Sequence, residues 1–247
     1  MLSPDDMIHR AVALADTLRG GPPCKIEHSV KFTPAGVNDQ RCVIMIHMPA
    51  NLQHEITQMF VHNFDLPAFV LDALLNMLRE FTFMGIGYAV DLIENKYKVY
   101  VIDGRPRPVP VRNMQGIEVD NSAGQYQLRT YQGIHGVHNI MQTLYDISPA
   151  NSHITSTLLT YFPTEIWTGV AYIKSNTIDI SITGKSTVEE LAYGIVELAI
   201  AVGCDMNAAQ AWVNRNGNMY LYWIGISRDS IALYIRDTNS HNFVSGT

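Results

Sequence analysis

The chain has 247 residues, 47% hydrophobic and 16% charged, with a formal net charge of −6. That length holds one large domain or two small ones, the composition is too apolar for disorder, and the negative balance argues against general nucleic-acid or anionic-membrane binding. No apolar run reaches transmembrane length, the opening MLSPDDMIHR lacks the basic region of a signal peptide, and Cys24, Cys42 and Cys204 lack CxxC spacing, so the expectation is a cytoplasmic chain with reduced thiols, no membrane span and no cysteine-based zinc site.

In chain order, a first helix is expected from Pro4 to Leu18, capped by Ser3 and stopped by Gly20-Gly21-Pro22-Pro23. Hairpin one follows, with strands His28–Thr33 and Arg41–Met48 around a Pro34–Gln40 loop. A helical region comes next, strongest over Leu66–Phe81, with Asp65 as N-cap and Val70, Leu71, Leu74, Leu75 and Leu78 on one stripe. Hairpin two is Gly85–Asp103. The alternate prolines of Gly104–Arg112 (GRPRPVPVR) predict an extended, rigid connector. A weaker hairpin, Gln115–Tyr131, turns at Asn121–Gly124. A helical stretch over Val137–Phe162 is split near Ser148-Pro149. Hairpin four is Gly169–Thr183. A capping-box spacing at Ser186–Glu189 opens a helix that Gly203 ends, and hairpin five, Tyr220–Asp237, closes the pattern.

Strands joined by tight turns are antiparallel, and no GxGxxG opens a helix, so the chain is not a doubly wound nucleotide-binding fold. The hairpins share a second property: their two faces differ. With Ser175-Asn176 as the turn of hairpin four, Tyr172 lies opposite Asp179 and Lys174 opposite Thr177, all on one face with Ser181, while Ala171, Ile173, Ile178, Ile180 and Ile182 take the other. With Glu94-Asn95 as the turn of hairpin two, Asp91 falls opposite Lys98 and beside Tyr100, Ala89 and Gly87. In hairpin five Trp223, Ser227, Tyr234 and Arg236 share a face, and in the weak hairpin Gln125, Gln127, Arg129 and Tyr131 do. Tyr97, Tyr126, Tyr220 and Tyr222 fall on the apolar side and are assigned to packing. The decorated face is either solvated, as in a half-open sheet, or turned into a barrel lumen. Its sparse mix of one cation and one or two aromatics per hairpin, with small residues between, favours the lumen.

This pattern resembles the ABBA-type aromatic prenyltransferases, soluble enzymes that move an isoprenoid from an allylic diphosphate onto an aromatic acceptor. Lys98-Val99-Tyr100 has the Lys-x-Tyr spacing of an early lumen strand in that family, and Lys174, five residues before Asp179, is similar to its second diphosphate-binding lysine. The resemblance covers Ser29–Asp237 in outline. It implies an α+β fold of one domain over residues 1–247, an antiparallel β-barrel of repeated α-β-β-α units with helices outside and a central lumen. It further implies that Lys98, Lys174, Arg129 and Arg236 hold the diphosphate of an allylic substrate. Tyr100, Tyr131, Tyr172, Tyr234 and Trp223 would shield the allylic cation, and Asp91 and Asp179 would orient lysines or the acceptor. No cofactor is required, although Mg²⁺ carried by the substrate diphosphate stays open. The chain departs from the family in its length and in hairpin one, where Val43 and Met45 stand at positions expected to carry an inward acid.

No DDxxD motif lies on a helix, which sets aside the helical-bundle prenyl synthases. His135 and His138 lack a third ligand and read as structural. Two alternatives to the enzyme remain: a non-catalytic barrel that binds a hydrophobic ligand or peptide, and an assembly protein whose decorated face is an interface.

Overall fold

The computed structural model describes residues 24–236 apart from 48–49, 81–82, 104–113, 121–124, 148–151, 163–166, 175 and 183–185, together with residues 6, 9, 10 and 13. Those four belong to a helix, and the rest of the expected Pro4–Leu18 helix lies outside the described residues, as do the GRPRPVPVR connector and the Asn121–Gly124 turn. The strands β1 (Cys24–Thr33) and β2 (Gly36–His47) form the first hairpin. Helices α1 (Gln53–Asn63) and α2 (Ala68–Glu80) follow, then β3 (Phe83–Asp91), β4 (Lys96–Asp103), β5 (Met114–Asp120) and β6 (Gln125–His135). Next come α3 (Val137–Ile147), α4 (Ser152–Tyr161), β7 (Trp167–Lys174) and β8 (Thr177–Ile182). The chain continues through α5 (Ala192–Ala201), α6 (Met206–Asn216), β9 (Tyr220–Ser227) and β10 (Ile231–Arg236).

Each strand pairs antiparallel with the next in sequence, and β10 pairs back onto β1, His28 facing Ile235 and Phe32 facing Ile231. The ten strands thus make one strongly curled, barrel-like antiparallel sheet. The apolar faces of the strands lie under helices, except on β6, where Tyr126 and Leu128 are 59% and 61% exposed. On one side Ile44, Ile46, Tyr88, Val90, Val99, Val101 and Ile117 pack against Ile56, Phe60, Val70 and Leu74 of α1 and α2. On the other, Phe32, Ile178, Ile180, Ile224, Ile226 and Leu233 pack against Ile140, Leu158, Ile195, Leu198 and Trp212 of α3 to α6. Burial of these side chains at about 25 cal/mol per Å² is the main term holding helices to sheet.

The register of hairpin four is the one expected, Tyr172 opposite Asp179 and Lys174 opposite Thr177. Hairpin two differs. Its connection is the four-residue turn Leu92–Asn95, with Asn95 at φ 52°, so Asp91 pairs with Lys96 and Lys98 pairs with Ala89. The slip is by two residues, which leaves every side chain on its expected face. Hairpin one turns tightly at Pro34-Ala35, with Gly36 at φ 124°, so the polar run Asn38–Gln40 is strand and not loop. Asp65 is not an N-cap: it sits at φ 50° in the turn between α1 and α2 and accepts from Arg10 Nη1 at 2.6 Å. The capping box is one residue later than expected, with Thr187 N donating to Glu190 Oε2 at 2.8 Å and Glu190 N to Thr187 Oγ1 at 3.2 Å. After Gly203, at φ 81°, a second helix intervenes that the expected order lacked: α6 is capped by Asp205, whose Oδ1 accepts from Ala208 N at 2.8 Å.

Helices α4 and α5 approach each other closely at Gly194. A Cβ added at Gly194 would lie 2.6 Å from Tyr161 Cβ and 2.9 Å from Phe162 Cε2. Because Tyr161 Cβ is fixed to its backbone, it cannot swing aside. Gly194→Ala is expected to destabilise by about 1–3 kcal/mol through overpacking, which exceeds the gain of about 1 kcal/mol in helix propensity. A chemical denaturation curve checks the sign, and a raised midpoint would show that the helices separate at no cost.

Candidate functional site

The face turned away from the helices gathers the charged and aromatic residues of all five hairpins. Its geometry follows from strand alternation: Lys98 and Tyr100 on β4, Arg129 and Tyr131 on β6, and Tyr234 and Arg236 on β10 are pairs two residues apart, so each pair shares this face. Small residues opposite them make room. Gly87, paired with Tyr100, lies under its ring, so that an added Cβ would come 2.4 Å from Tyr100 Cζ. Gly116 lies beneath Tyr100 and Tyr131, with their atoms 3.3 and 3.4 Å from such a Cβ. A Cβ added at Gly225 would lie 2.5 Å from Asp179 Oδ1 and 3.5 Å from Tyr234 Cε2.

The three tyrosines form one desolvated group. Burial raises the Tyr100 hydroxyl pKa well above the usual phenol value, helped by Glu27, Tyr234 and Tyr131. Burial does the same for Tyr131, with Asp179, Tyr234 and Glu118 adding to it, and for Tyr234, with Asp179 and Glu27 adding and Arg41 opposing. Strands β4, β6 and β10 therefore bring Tyr100, Tyr131 and Tyr234 to a common centre, with carboxylates from β1, β5 and β8 around them.

The cations are interleaved with those carboxylates. Glu118 bridges two of them: Oε2 lies 3.2 Å from Lys98 Nζ and Oε1 accepts from Arg129 Nη2 at 3.2 Å. Arg236 donates to Glu27 and lies over the ring of Tyr222, 4.0 Å from its centroid. Arg41 donates to Ser29 Oγ at 2.9 Å and has its Nε 3.0 Å from Asp91 Oδ2. Asp91 is fixed in turn by Asn38 Nδ2 and by the amide of Glu94, both donating to its Oδ1 at 2.9 Å. Toward the turn of hairpin two, Lys31 donates to Glu94 at 2.5 Å, and Lys96 lies 3.6 Å from Glu94 and 3.7 Å from Asp120. Burial raises the pKa of the Glu94 carboxyl, but the hydrogen bond and charge of Lys31, with Lys96 and Arg41, outweigh it and leave the group below its ordinary value. Among the described residues, Nε of Arg129 and Nε of Arg236 are buried without a hydrogen-bond acceptor, whereas that of Arg41 faces Asp91.

Of the residues expected at a site, Lys98, Tyr100, Arg129, Tyr131, Tyr234 and Arg236 share this face, with Asp91 at its turn end and Asp179 beside Tyr131 and Tyr234. Trp223 pairs with Tyr234 and Ser181 and is partly exposed. Tyr172 and Lys174 are in β7 at the expected register, and their side chains lie outside the described ones. Sequence reasoning missed Glu27, Ser29, Lys31, Arg41 and Glu118. The inward acid sought at Val43 is one strand away, for Glu27 on β1 is its cross-strand partner. Tyr222, assigned to packing, instead meets Arg236, because a bulge between Tyr234 and Ile235 makes Tyr222 an extra residue in β9. Tyr126 is 59% exposed and stacks on Phe69 of α2 at 4.7 Å. His135 offers its carbonyl to Asn139 Nδ2 at 2.8 Å, and among the described residues no group of three or more His, Cys, Asp or Glu is arranged to hold a metal ion. Among the described helices none is long and apolar enough to cross a membrane. In comparison with known proteins, no family model matches the chain and no curated protein does.

The raised phenols predict a pH dependence with a definite sign. Tyr88 is raised by burial, as are Tyr100, Tyr131 and Tyr234, and burial pushes Tyr97 up to about 12. Above about pH 10 the unfolded chain loses phenolic protons that the folded chain keeps, so stability is full below that pH and falls as pH rises. The expected slope is on the order of 1 kcal/mol per pH unit for each such tyrosine. Denaturation curves from about pH 8 to 12, compared with tyrosinate absorbance of the folded protein, check it. A flat profile, with tyrosines titrating at the ordinary value, would mean that neither the inner face nor the layer under α1 and α2 excludes water.

Proposed function

We propose that the protein is an aromatic prenyltransferase, transferring an isoprenoid from an allylic diphosphate to an aromatic small molecule or peptide within a closed barrel of α-β-β-α units. The observation that carries this reading is the joining of three desolvated tyrosines to guanidinium groups that keep buried, unaccepted N–H donors. A diphosphate offers many acceptor oxygens to such donors, and its accumulating charge as the C–O bond breaks is stabilised by fixed cations. Lys98, Arg129 and Arg236, with Lys174, are the cations assigned to it, and Arg41 joins them. The allylic cation left behind would face Tyr100, Tyr131 and Tyr234, with Tyr172 and Trp223 as further wall, since π faces attract positive charge in a dry site. The electron pair of the broken bond leaves with diphosphate, the aromatic acceptor supplies the pair for the new bond, and its displaced proton needs a base. Glu27 is the carboxylate assigned to that role, with Asp91 and Asp179 as orienting groups. A Mg²⁺ ion carried on the diphosphate belongs to the same proposal.

A second reading, a non-catalytic barrel, is favoured by a different observation: the inner cations already have carboxylate partners, and tyrosine rings occupy the space over Gly87 and Gly116.

Two measurements separate the readings. Inorganic pyrophosphate or a prenyl thiodiphosphate should raise the melting temperature, and Lys98→Ala should remove much of the shift, because a charge-assisted contact contributes roughly 1.5–3 kcal/mol. A product assay with dimethylallyl, geranyl and farnesyl diphosphate against indoles, phenols and tyrosine-containing peptides should detect a prenylated product. Tyr100→Phe and Tyr234→Phe should keep most turnover, while the alanine variants should slow it about thirtyfold, the equivalent of about 2 kcal/mol of cation–π stabilisation. Absence of both product and diphosphate release across that panel would leave the non-catalytic barrel standing.

A further inference from the structure

We propose that Glu118 sets the affinity of this face for anions, acting as an internal counter-ion that a diphosphate must displace from Lys98 and Arg129. The inference rests on the diphosphate-binding reading above and goes beyond it, for it names a residue whose removal strengthens binding. Glu118 sits on β5 between the two strands that supply its partners, and it pairs in register with Lys98 of β4 and Gln127 of β6. Its Oε2 lies 3.2 Å from Lys98 Nζ and its Oε1 3.2 Å from Arg129 Nη2, so the carboxylate spans the gap between an ammonium and a guanidinium as an oxygen pair of a diphosphate would. The Glu118 side chain is 16% exposed and that of Arg129 22%, so their contact is screened less by water than that with Lys98, which is 33% exposed. Arg129 also keeps a buried Nε donor that the carboxylate does not reach, so the guanidinium is only partly satisfied.

Two consequences follow for a polyanion arriving at this face. While Glu118 stays in place, it offsets one of the two positive charges that attract the ligand and repels the ligand directly. A ligand that takes both cations must turn the carboxylate away, and the free energy of breaking those two contacts is subtracted from its binding. The same exchange favours release, because the carboxylate can re-form its contacts as the diphosphate departs.

The experiment titrates inorganic pyrophosphate into the full chain and into Glu118→Gln, Asp120→Asn and Lys98→Ala, by calorimetry and by thermal shift. Asp120→Asn removes the same charge from the next inward position of the same strand, where the partner is Lys96 at 3.7 Å. Glu118→Gln is expected to bind pyrophosphate about tenfold or more tightly than the parent protein, a size set by close charge pairs. Asp120→Asn should change binding much less, and Lys98→Ala should weaken it. Should Glu118→Gln fail to fold, Glu118→Asp, too short to span both cations, is expected to tighten binding by a smaller factor. Parent binding with equal or weaker binding by Glu118→Gln or Glu118→Asp would overturn this inference and leave the proposed function intact. Equal tightening by Asp120→Asn would also overturn it, since net charge and not the bridge would then be the cause. If neither the parent nor any Glu118 variant binds pyrophosphate, the diphosphate-binding reading itself fails, and this inference with it.

Discussion

Charge neutralisation across neighbouring strands is the constraint on which this structure depends. A sheet that curls on itself turns one face toward its own opposite wall, and a charge on that face loses water it would keep on an open sheet. Taking an ion out of water costs several kcal/mol, and a partner within hydrogen-bonding distance offsets that cost only with good geometry. Neighbouring strands meet this condition with opposite charges: Glu27 of β1 takes Arg236 of β10, Arg41 of β2 takes Asp91 of β3, and Glu118 of β5 takes Lys98 of β4 and Arg129 of β6. Such pairs add little stability over apolar residues of similar volume, yet deleting one partner strands the other.

Size is matched on the same face by the same logic. Tyr100 needs a glycine opposite it, and Gly87 is its cross-strand partner; Asp179 needs one, and Gly225 is its partner. Glycine costs conformational entropy in a strand, so its presence opposite a large or charged side chain marks close approach. The helix side follows a different rule. There β-branched residues pack on Phe60, Trp212 and the leucines of α2 to α5, and nothing but burial is asked of them.

That difference explains which parts of the molecule were legible in the sequence. Alternation of apolar with polar residues gave the two faces of hairpins two, four and five, because period two survives any slip by an even number. The pairing of Asp91 was misread because turn length, not pattern, fixes register, and Asn95 at φ 52° belongs to a longer turn than two residues. Tyr222 was put on the wrong face because a bulge inserts one residue and inverts everything beyond it, and no local composition announces it. The β2 strand began earlier than expected because Asn38-Asp39-Gln40 reads as loop, whereas a polar inner face accepts it as strand: Asn38 is buried on Asp91. The α6 segment carries a helix signal, Asp205 as cap with Ala209, Trp212 and Val213 at helical spacing, but the glycine stop just before it masks that signal. Glu27, Arg41 and Glu118 could not be found by spacing at all. Their partners lie on neighbouring strands, between 11 and 209 residues away in sequence, and strand pairing brings them together.

The protonation state of the tyrosines ties this electrostatic frame to the proposed chemistry. A phenolate beside an allylic cation is an oxygen nucleophile, and it would trap the cation on the protein. A neutral phenol presents the same π face with far less nucleophilic oxygen. Burial raises Tyr100, Tyr131 and Tyr234, and the carboxylates Glu27, Glu118 and Asp179 act in the same direction by opposing a second negative charge. Cations alone around these rings would act in the opposite sense, as Arg41 does on Tyr234 and Arg129 on Tyr131. The interleaved acids therefore do two things at once. They neutralise the guanidinium groups that a diphosphate would need, and they keep the phenols protonated in a site crowded with positive charge. A site built from cations and tyrosines without those acids would bind a diphosphate more strongly and present a more reactive wall to the cation formed from it.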